Sequence, residues 1–304
     1  MRKQRNFIID LSLQIEKSFL FLLFMFYLSA IAVCQKNDPG KSVFKGGSYE
    51  ETFSTSRIGL AQSVMTTPMG EFHVVIQHRF SEIEGGLYNM FGMDGALPRF
   101  GFEYGFTDWL SGEIGRSLFE KTFDLELKAV ILKQNESSIP VSVSYFISAM
   151  DNTLKNYFPS GNDSFGSRLS FANQLFISRN QGILSLQVAP LWLHSNYEIR
   201  TGGPLNVFAL DVAGRIKIFE KIGFIAEYIN VLTKNIFDGT NPLSTGTNPL
   251  TLGIDINTGG HQFQLIFSNS QGLNEKQFLT NTDGSWSTRH IYFGFNLTRC
   301  FNRK

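Results

Sequence analysis

The 304-residue sequence contains little cysteine, little charge and few long apolar runs. Its two cysteines, Cys34 and Cys300, stand near opposite ends of the chain, which excludes a disulfide framework and a cysteine-rich metal site. Only 17% of the residues are charged and the formal net charge is +1, which argues against a nucleic-acid-binding surface. No two histidines have metal-ligand spacing, and no glycine-rich segment opens a predicted helix as a phosphate loop would. We therefore expect no metal, no cofactor and no nucleic-acid partner.

The longest apolar run, residues 19–33, follows a basic segment and contains an Ala-x-Ala pattern at residues 30–32, near its end. This order of basic, apolar and small residues is typical of a secretory signal peptide, and the run is shorter than the roughly 20 residues of a spanning helix. We predict that residues 1–32 are a signal peptide cleaved after Ala32. The alternative is a lipoprotein with a lipidated Cys34, although Val33 is unfavourable directly before such a cysteine.

Aromatic residues and glycine are abundant, and they alternate with other residues along predicted strands. The 30 phenylalanines, 28 glycines and 9 tyrosines suit strands that are joined by tight turns. From Arg99 to Phe106, apolar residues alternate with polar residues or glycine, so strand geometry places all the aromatic rings on one face. An outer-membrane barrel turns such an apolar face towards lipid and its polar face towards the lumen.

The alternation recurs to the end of the chain and predicts about twelve strands. They are residues 71–80, 97–106, 110–117, 122–132, 140–149, 167–178, 183–193, 206–218, 222–230, 249–258, 261–268 and 289–301. Short connections alternate with long ones, as the turns and extracellular loops of outer-membrane barrels do. The predicted long connections are 81–96, 150–166, 194–205, 230–248 and 269–288.

This pattern predicts an all-β fold for residues 71–304: a transmembrane antiparallel up-and-down β-barrel in the bacterial outer membrane. A secreted soluble β-sandwich would also alternate, with its apolar faces packed on one another. Strand lengths near 9 to 11 residues and aromatic residues at strand ends favour the membrane barrel.

Several motifs in the first half of the barrel segment carry a family resemblance. They are residues 57–63, 78–80, 89–94, 99–108 and 115–117, of which the longest reads Arg-Phe-Gly-Phe-Glu-Tyr-Gly-Phe-Thr-Asp. In these motifs the chain resembles DUF5777, a family of uncharacterised bacterial outer-membrane β-barrel proteins. The resemblance is specific over residues 57–134 and general beyond them. It implies an outer-membrane location and supplies no catalytic or binding residues.

Charged side chains on the predicted polar faces are the candidate lining of the lumen. They are Arg79, Arg99, Glu103, Glu113, Asp124, Glu126, Lys128, Arg168, Arg215, Lys217, Glu227 and Asp255. Both signs are present in similar numbers. Such a mixture can form salt-bridge ladders that hold the wall, or it can line a selective passage.

Two further segments bear on access to the lumen. Residues 33–70 are polar and rich in turn residues, which predicts a segment that either stays in the periplasm or enters the lumen. The glycine-rich loop 85–95 is a candidate constriction that folds into the barrel mouth or rests on the rim. Its candidate residues are Tyr88, Asn89, Phe91, Gly92 and Asp94.

The functional expectation is a narrow passive pore for small solutes, with no enzymatic activity. A non-transporting binding or scaffold barrel in an envelope assembly is the alternative, and a lipid hydrolase that uses His78 is a more distant one. A hydrolase would require a nucleophile within hydrogen-bond reach of its base, and the sequence contains no such motif. The expected partners are outer-membrane lipid, the barrel-assembly machinery and a small solute.

Overall fold

The computed structural model describes residues 52–135, 139–155, 157–159, 163–233, 247–258 and 260–301. The predictions for residues 1–51, including the signal peptide and Cys34, lie outside these ranges.

Among the described residues, twelve antiparallel strands close into one barrel, which confirms the predicted fold. They are β3 (Phe72–Glu82), β4 (Ala96–Gly105), β5 (Leu110–Ser117), β6 (Thr122–Leu132), β7 (Ser142–Asn152), β8 (Leu169–Gln181), β9 (Leu184–Glu198), β10 (Gly203–Phe219), β11 (Ile222–Val231), β12 (Leu250–Asn257), β13 (His261–Ser268) and β14 (Tyr292–Phe301). Two shorter strands, β1 (Arg57–Ile58) and β2 (Ala61–Gln62), pair only with each other.

Each barrel strand pairs with its neighbour in sequence, and the last strand closes the sheet on the first. The closing seam joins β14 to β3, with Phe301 opposite Phe72 and Cys300 opposite His73. Closure leaves the barrel sheet without an unpaired edge, as a β-structure within lipid requires.

The two faces of each strand follow the alternation of the sequence. On β4, Phe100 and Phe102 point outward and are 45% and 52% exposed, whereas Arg99 and Glu103 point inward and are buried. The outward rings form the surface available to lipid. Inward glycines make room for the charged groups, because a Cβ atom at Gly115 would lie 2.2 Å from Arg99 Nη2.

The two mouths of the barrel differ in their connections. One mouth, the turn end, carries the connections 106–109, 133–141, 182–183, 220–221 and 258–260. The other mouth, the loop end, carries 83–95, 118–121, 153–168, 199–202, 232–249 and 269–291. The connection from β9 to β10 is therefore four residues long instead of the predicted 194–205. The prediction was wrong there because the ladder between these strands continues as far as Gly203 opposite Glu198.

Helical structure is confined to short segments at the loop end. Two α-helices are α1 (Phe165–Arg168) and α2 (Glu275–Thr280), and Ile83–Gly92 and Phe119–Lys121 form 3-10 turns. In the part of the chain that the structure describes, no helix is long and apolar enough to cross a membrane.

Candidate functional site

Residues 52–67 occupy the lumen of the barrel and are termed the inner hairpin. Their backbone turns between β1 and β2, and most of these residues are buried. The hairpin forms no strand pairing with the wall, so side chains hold it in place. Both of its ends lie at the turn end, since Ser54, Thr67 and Pro68 line one cavity there with Gly260.

The tip of the inner hairpin is held by three polar side chains of the wall. Glu227 accepts hydrogen bonds from the backbone N–H groups of Leu60 at 2.8 Å and Ala61 at 3.0 Å. The carbonyl oxygen of Gly59 accepts from Arg79 Nη2 at 3.1 Å and from Asn296 Nδ2 at 2.8 Å. The tip thus satisfies its backbone groups, although they lie far from solvent.

Gly59 is the residue that allows this close approach. Its φ angle of +60° falls in the left-handed region, and a Cβ atom there would lie 2.8 Å from Glu227 Oε2. A larger residue would therefore strain the turn and also collide with the carboxylate that holds it.

A buried cluster of charges joins the hairpin to the wall strands β4 to β6. Arg57 of the hairpin donates to Glu126 Oε2 at 2.6 Å and to Glu113 Oε2 at 3.2 Å. Arg99 on β4 donates to Glu113 Oε1 at 2.6 Å and also pairs with Asp124 and Glu126. The two guanidinium groups thus neutralise most of the charge of three neighbouring carboxylates. Breaking a buried pair of this kind leaves an uncompensated charge.

Further polar bonds follow the hairpin towards the turn end. Lys128 donates to the carbonyl oxygens of Ser56 at 2.8 Å and Met65 at 3.0 Å. On β9, Gln187 accepts from the Val64 N–H at 2.8 Å and donates to the Gln62 carbonyl at 2.9 Å. The hairpin is therefore bonded along both of its strands.

The inward face of β7 to β11 carries large apolar side chains among polar ones, whereas the alternation predicted a polar lumen. Leu60 and Ala61 pack there in a buried cluster that includes Met150, Leu193 and Ile229. A second cluster joins three hairpin residues to the inward side chains of the wall. Its members are Phe53, Ile58, Val64, Phe146, Phe176, Ala189, Ala213, Ile225 and Ile266. These contacts resemble a protein core.

A second segment fills the lumen from the loop end. Residues 270–282, termed the inner loop, are largely buried and include α2. Phe278 and Leu279 join the apolar cluster around Leu60, so the inner loop and the hairpin tip meet inside the barrel. Gln277 Nε2 donates to the carbonyl oxygen of Phe119 at 2.8 Å and to Thr122 Oγ1 at the start of β6 at 3.3 Å, which ties the loop to the wall.

Glu275 on α2 is the least compensated buried charge of the inner loop. Among the described residues, neither of its carboxylate oxygens has a hydrogen-bond partner. Burial raises the pKa of Glu275 above its usual range, and the positive charge of Arg57 partly opposes that shift. Protonation of the Glu275 carboxylate therefore favours the position of the inner loop inside the lumen.

The structure places the predicted lining residues in three groups. Nine are buried inside the barrel: Arg79, Arg99, Glu103, Glu113, Asp124, Glu126, Lys128, Glu227 and Asp255. Arg215 and Lys217 lie near the turn end and are half-buried, and Arg215 pairs with Asp255 at 2.9 Å. Arg168 requires a correction, because it lies in α1 at the loop end. Ser164 accepts a hydrogen bond from the Ser167 N–H there and caps a helical turn where a strand was predicted.

The candidate constriction loop lies on the outside of the barrel mouth. Tyr88 is 97% exposed, and Phe91 and Asp94 are exposed as well. Asn89 accepts from the Gly92 N–H at 3.2 Å and donates to the Glu82 carbonyl at 3.3 Å, which closes the loop on itself. The inner hairpin and the inner loop narrow the lumen instead.

His78, the candidate base of a hydrolase, lies on the outward face of β3. Its ring stacks on Phe295 with centroids 5.2 Å apart. The hydrogen-bonded histidine side chains within the described ranges are His73, His194 and His290, and their partners are Glu71, Asn206 and Glu84. None of these contacts is a pair of nucleophile and base.

Among the residues that the structure describes, two groups of side chains have the chemistry and the proximity to hold a metal ion. Glu71, His73 and Cys300 lie together at the turn end, and Glu82, Glu84 and His290 at the loop end. Neither group has a sequence signature, because the first joins residues that are 229 positions apart. The register between β14 and β3 brings Cys300 next to Glu71 and His73.

The sequence also did not predict that the lumen is filled. It left open whether residues 33–70 stay in the periplasm or enter the lumen. A signal was present in the inward positions of β7 to β11. Phe146, Met150, Phe176 and Leu193 interrupt the polar face with large apolar side chains that a water-filled lumen would not favour.

Comparison with known proteins gives a family and several similar folds. A family model described as a membrane bound beta barrel domain (DUF5777) matches residues 53–301. The NanC porin structure is 9% identical over 75% of this chain and 98% of its own, with a TM-score of 0.47. The KdgM porin is 12% identical over 76% and 99%, with a TM-score of 0.43. Salmonella typhi OmpF in complex with daunomycin is 9% identical over 76% and 97%, with a TM-score of 0.36. No curated protein matches the chain.

Proposed function

Because the chain belongs to the DUF5777 family of membrane-bound β-barrel domains, we propose that it is a gated outer-membrane channel for small solutes. In the conformation described, the inner hairpin and the inner loop close the lumen. A passage therefore requires that at least the hairpin shifts.

The turn end faces the periplasm and the loop end faces the exterior, with the signal peptide 1–32 removed on export. Outer-membrane lipid surrounds the outward aromatic face, and the barrel-assembly machinery inserts the strands.

The observation that carries this proposal is the independence of the barrel from its filling. All twelve wall strands pair with one another, and the ladder between β14 and β3 closes the sheet without the hairpin. Both ends of the hairpin lie at the turn end, so it can withdraw without threading through the barrel. Withdrawal would expose the charged wall of β4 to β6 to water, which suits a solute passage.

Single-channel conductance in planar bilayers tests the gated channel. We compare the chain that lacks residues 1–32 with a variant that also lacks residues 52–67, after circular dichroism has shown that both are folded. The wild-type chain should be mostly silent with brief openings, and the deletion should open far more often, because only the inner loop then narrows the lumen. Reversal of a wall charge by Glu103→Lys in the deletion background should shift ion selectivity towards anions. Silence of both folded chains would contradict the proposal.

The apolar clusters between the hairpin and strands β7 to β11 favour a second candidate function, a permanently closed barrel that binds or organises other envelope components. Hydrogen exchange of the Leu60 and Ala61 amides distinguishes the two functions, because both amides are bonded to Glu227. A gated hairpin should exchange much faster than the wall strands, by local opening. A permanent core should exchange as slowly as the wall.

A lipid hydrolase has no support in the contacts of His78. The ring stacks between aromatic side chains on the outward face, and the serine residues that the structure describes form no hydrogen bond to it. The proposal therefore assigns the protein no enzymatic activity.

A further inference from the structure

The closing seam of the barrel brings together three potential metal ligands at the turn end. His73 on β3 lies directly opposite Cys300 on β14, and Glu71 immediately precedes β3. Glu71 Oε2 lies 3.0 Å from His73 Nε2 and 3.2 Å from Cys300 Sγ. The three donor atoms all lie within 4.8 Å of one another.

The wall and a cavity complete the surroundings of this cluster. Glu103 on β4 lies opposite His73 on the other side, and its Oε2 is 3.8 Å from His73 Nδ1. A carboxylate at this position favours a histidine with a protonated Nδ1 and an Nε2 free to bind a metal. A cavity of about 140 Å³ adjoins all three potential ligands and is bordered by the inner hairpin. It provides an entry path and space for a coordinated water.

We propose that Glu71, His73 and Cys300 bind a divalent cation of the zinc class. Thiolate, imidazole and carboxylate are the three ligand types that Zn²⁺ takes in proteins. Zinc bonds of about 2.0 to 2.3 Å place tetrahedral ligand atoms about 3.3 to 3.8 Å apart. The two contacts of Glu71 Oε2, with His73 and Cys300, therefore need to lengthen by only a few tenths of an ångström. Three protein ligands leave the fourth position for a water in the cavity.

The ion would link three parts of the chain: the first strand, the last strand and the connector to the inner hairpin. Glu71 lies four residues after Thr67, where the hairpin ends. Metal binding would therefore strengthen the seam between β14 and β3 and fix the base of the hairpin at the same time. This inference does not depend on whether the barrel conducts solutes.

A cysteine nucleophile is the competing interpretation of the cluster, and the contacts argue against it. A nucleophile needs its base within hydrogen-bond reach. Here the thiol is bonded to the Glu71 carboxylate, and that same carboxylate oxygen is bonded to the imidazole. A carboxylate between thiol and imidazole suits shared coordination of a cation.

Cobalt and zinc titrations test the site in the folded chain without residues 1–32. The background is Cys34→Ser, so that Cys300 is the remaining thiol. Co²⁺ should bind one per chain and produce the charge-transfer absorption of a cobalt–thiolate bond. Zn²⁺ should displace Co²⁺ and remove that absorption. At a Zn²⁺ concentration ten times Kd, alkylation of Cys300 should slow about elevenfold, because only the metal-free fraction reacts.

Matched variants separate this site from unspecific binding. Cys300→Ser should abolish the thiolate absorption, and His73→Ala should weaken Co²⁺ binding at least about tenfold. His261→Ala is the control, since that histidine begins β13 at the same end but lies outside the cluster. Circular dichroism establishes that each variant is folded.

The wild-type measurements keep the proposal testable even if a variant does not fold. Absence of stoichiometric Co²⁺ binding, or alkylation that Zn²⁺ does not slow, would overturn the site. Binding that persists unchanged in a folded Cys300→Ser chain would also overturn the proposed ligand set.

Discussion

Two regions of the lumen wall hold the inner hairpin by different physical means. They are termed the charged half, strands β4 to β6, and the apolar half, strands β7 to β11. Strands β4 to β6 present charged groups, and Arg57 of the hairpin enters a cluster with Glu113 and Glu126. Strands β7 to β11 add apolar side chains, and Leu60 lies in one buried cluster with Met150, Leu193 and Ile229. Charge pairs depend on partner and direction, whereas apolar contacts are non-directional. The charged half therefore helps to determine the register of the hairpin, together with Glu227 on β11, and the apolar contacts mainly contribute adhesion.

Removal of the hairpin's charge should have the largest effect on its insertion. In Arg57→Ala, two wall carboxylates stay buried without this cation unless the hairpin leaves and water enters. We expect the free energy of local opening to fall by about 3 to 5 kcal/mol. Hydrogen exchange at the Leu60 and Ala61 amides measures it.

Arg116→Ala is the control for that change. Arg116 lies over the Phe123 ring at 4.2 Å on the outward face and contacts no part of the hairpin cluster. It should leave the exchange of both amides unchanged. Equal exchange rates in the two variants would mean that the charged half does not hold the hairpin.

Truncation on the apolar half should have a somewhat smaller effect. Leu60 is fully buried, and Leu60→Ala should lower the free energy of hairpin opening by about 3 kcal/mol through lost burial and a residual cavity. Exchange at the Ala61 amide measures this change without altering the charged cluster. Ile114→Ala, on the outward face, is the matched control and should not change that exchange. An effect larger than that of Arg57→Ala would reverse the ranking of the two halves.

The smallest expected effect is a pH dependence of the inner loop. The pKa of Glu275 is raised by burial, so the inserted loop is most stable below the ordinary pKa of a glutamate. This stability is lost as pH rises from that ordinary value through the raised one, because the inserted carboxylate must then ionise while the released one is hydrated. Limited proteolysis of residues 270–282 should accelerate between acidic and neutral pH.

Glu275→Gln should remove this pH dependence, since the amide does not titrate. Glu84→Gln, a substitution at an exposed position of the loop end, should leave the dependence intact. A proteolysis rate that varies with pH equally in all three chains would assign the effect to other groups.

The alternation along each strand was sufficient to predict the barrel and most of its faces. Side chains of a strand alternate with period two whatever the neighbouring strands are, so Phe100, Phe102 and Tyr104 could be placed together without a structure. Arg168 was misplaced because the cap at Ser164 is a local hydrogen bond that competes with the strand pattern. The lengths of β9 and β10 were underestimated because most residues at the loop end of β9 are polar on both faces.

What fills the lumen could not be read from the same pattern. Residues 52–67 lack strong alternation, and their stability comes from contacts such as Arg57 with Glu126, which are 69 positions apart. The cluster of Glu71, His73 and Cys300 is likewise invisible in the sequence, since only closure of β14 on β3 makes it.

The sequence by itself determined most strand positions, the strand count and the face that meets lipid, because these properties follow from local periodicity. Tertiary structure alone decided which segments fill the lumen, how they contact the wall and which distant ligands converge at the seam. Those features are contacts between segments far apart in the chain, and they depend on barrel closure and register.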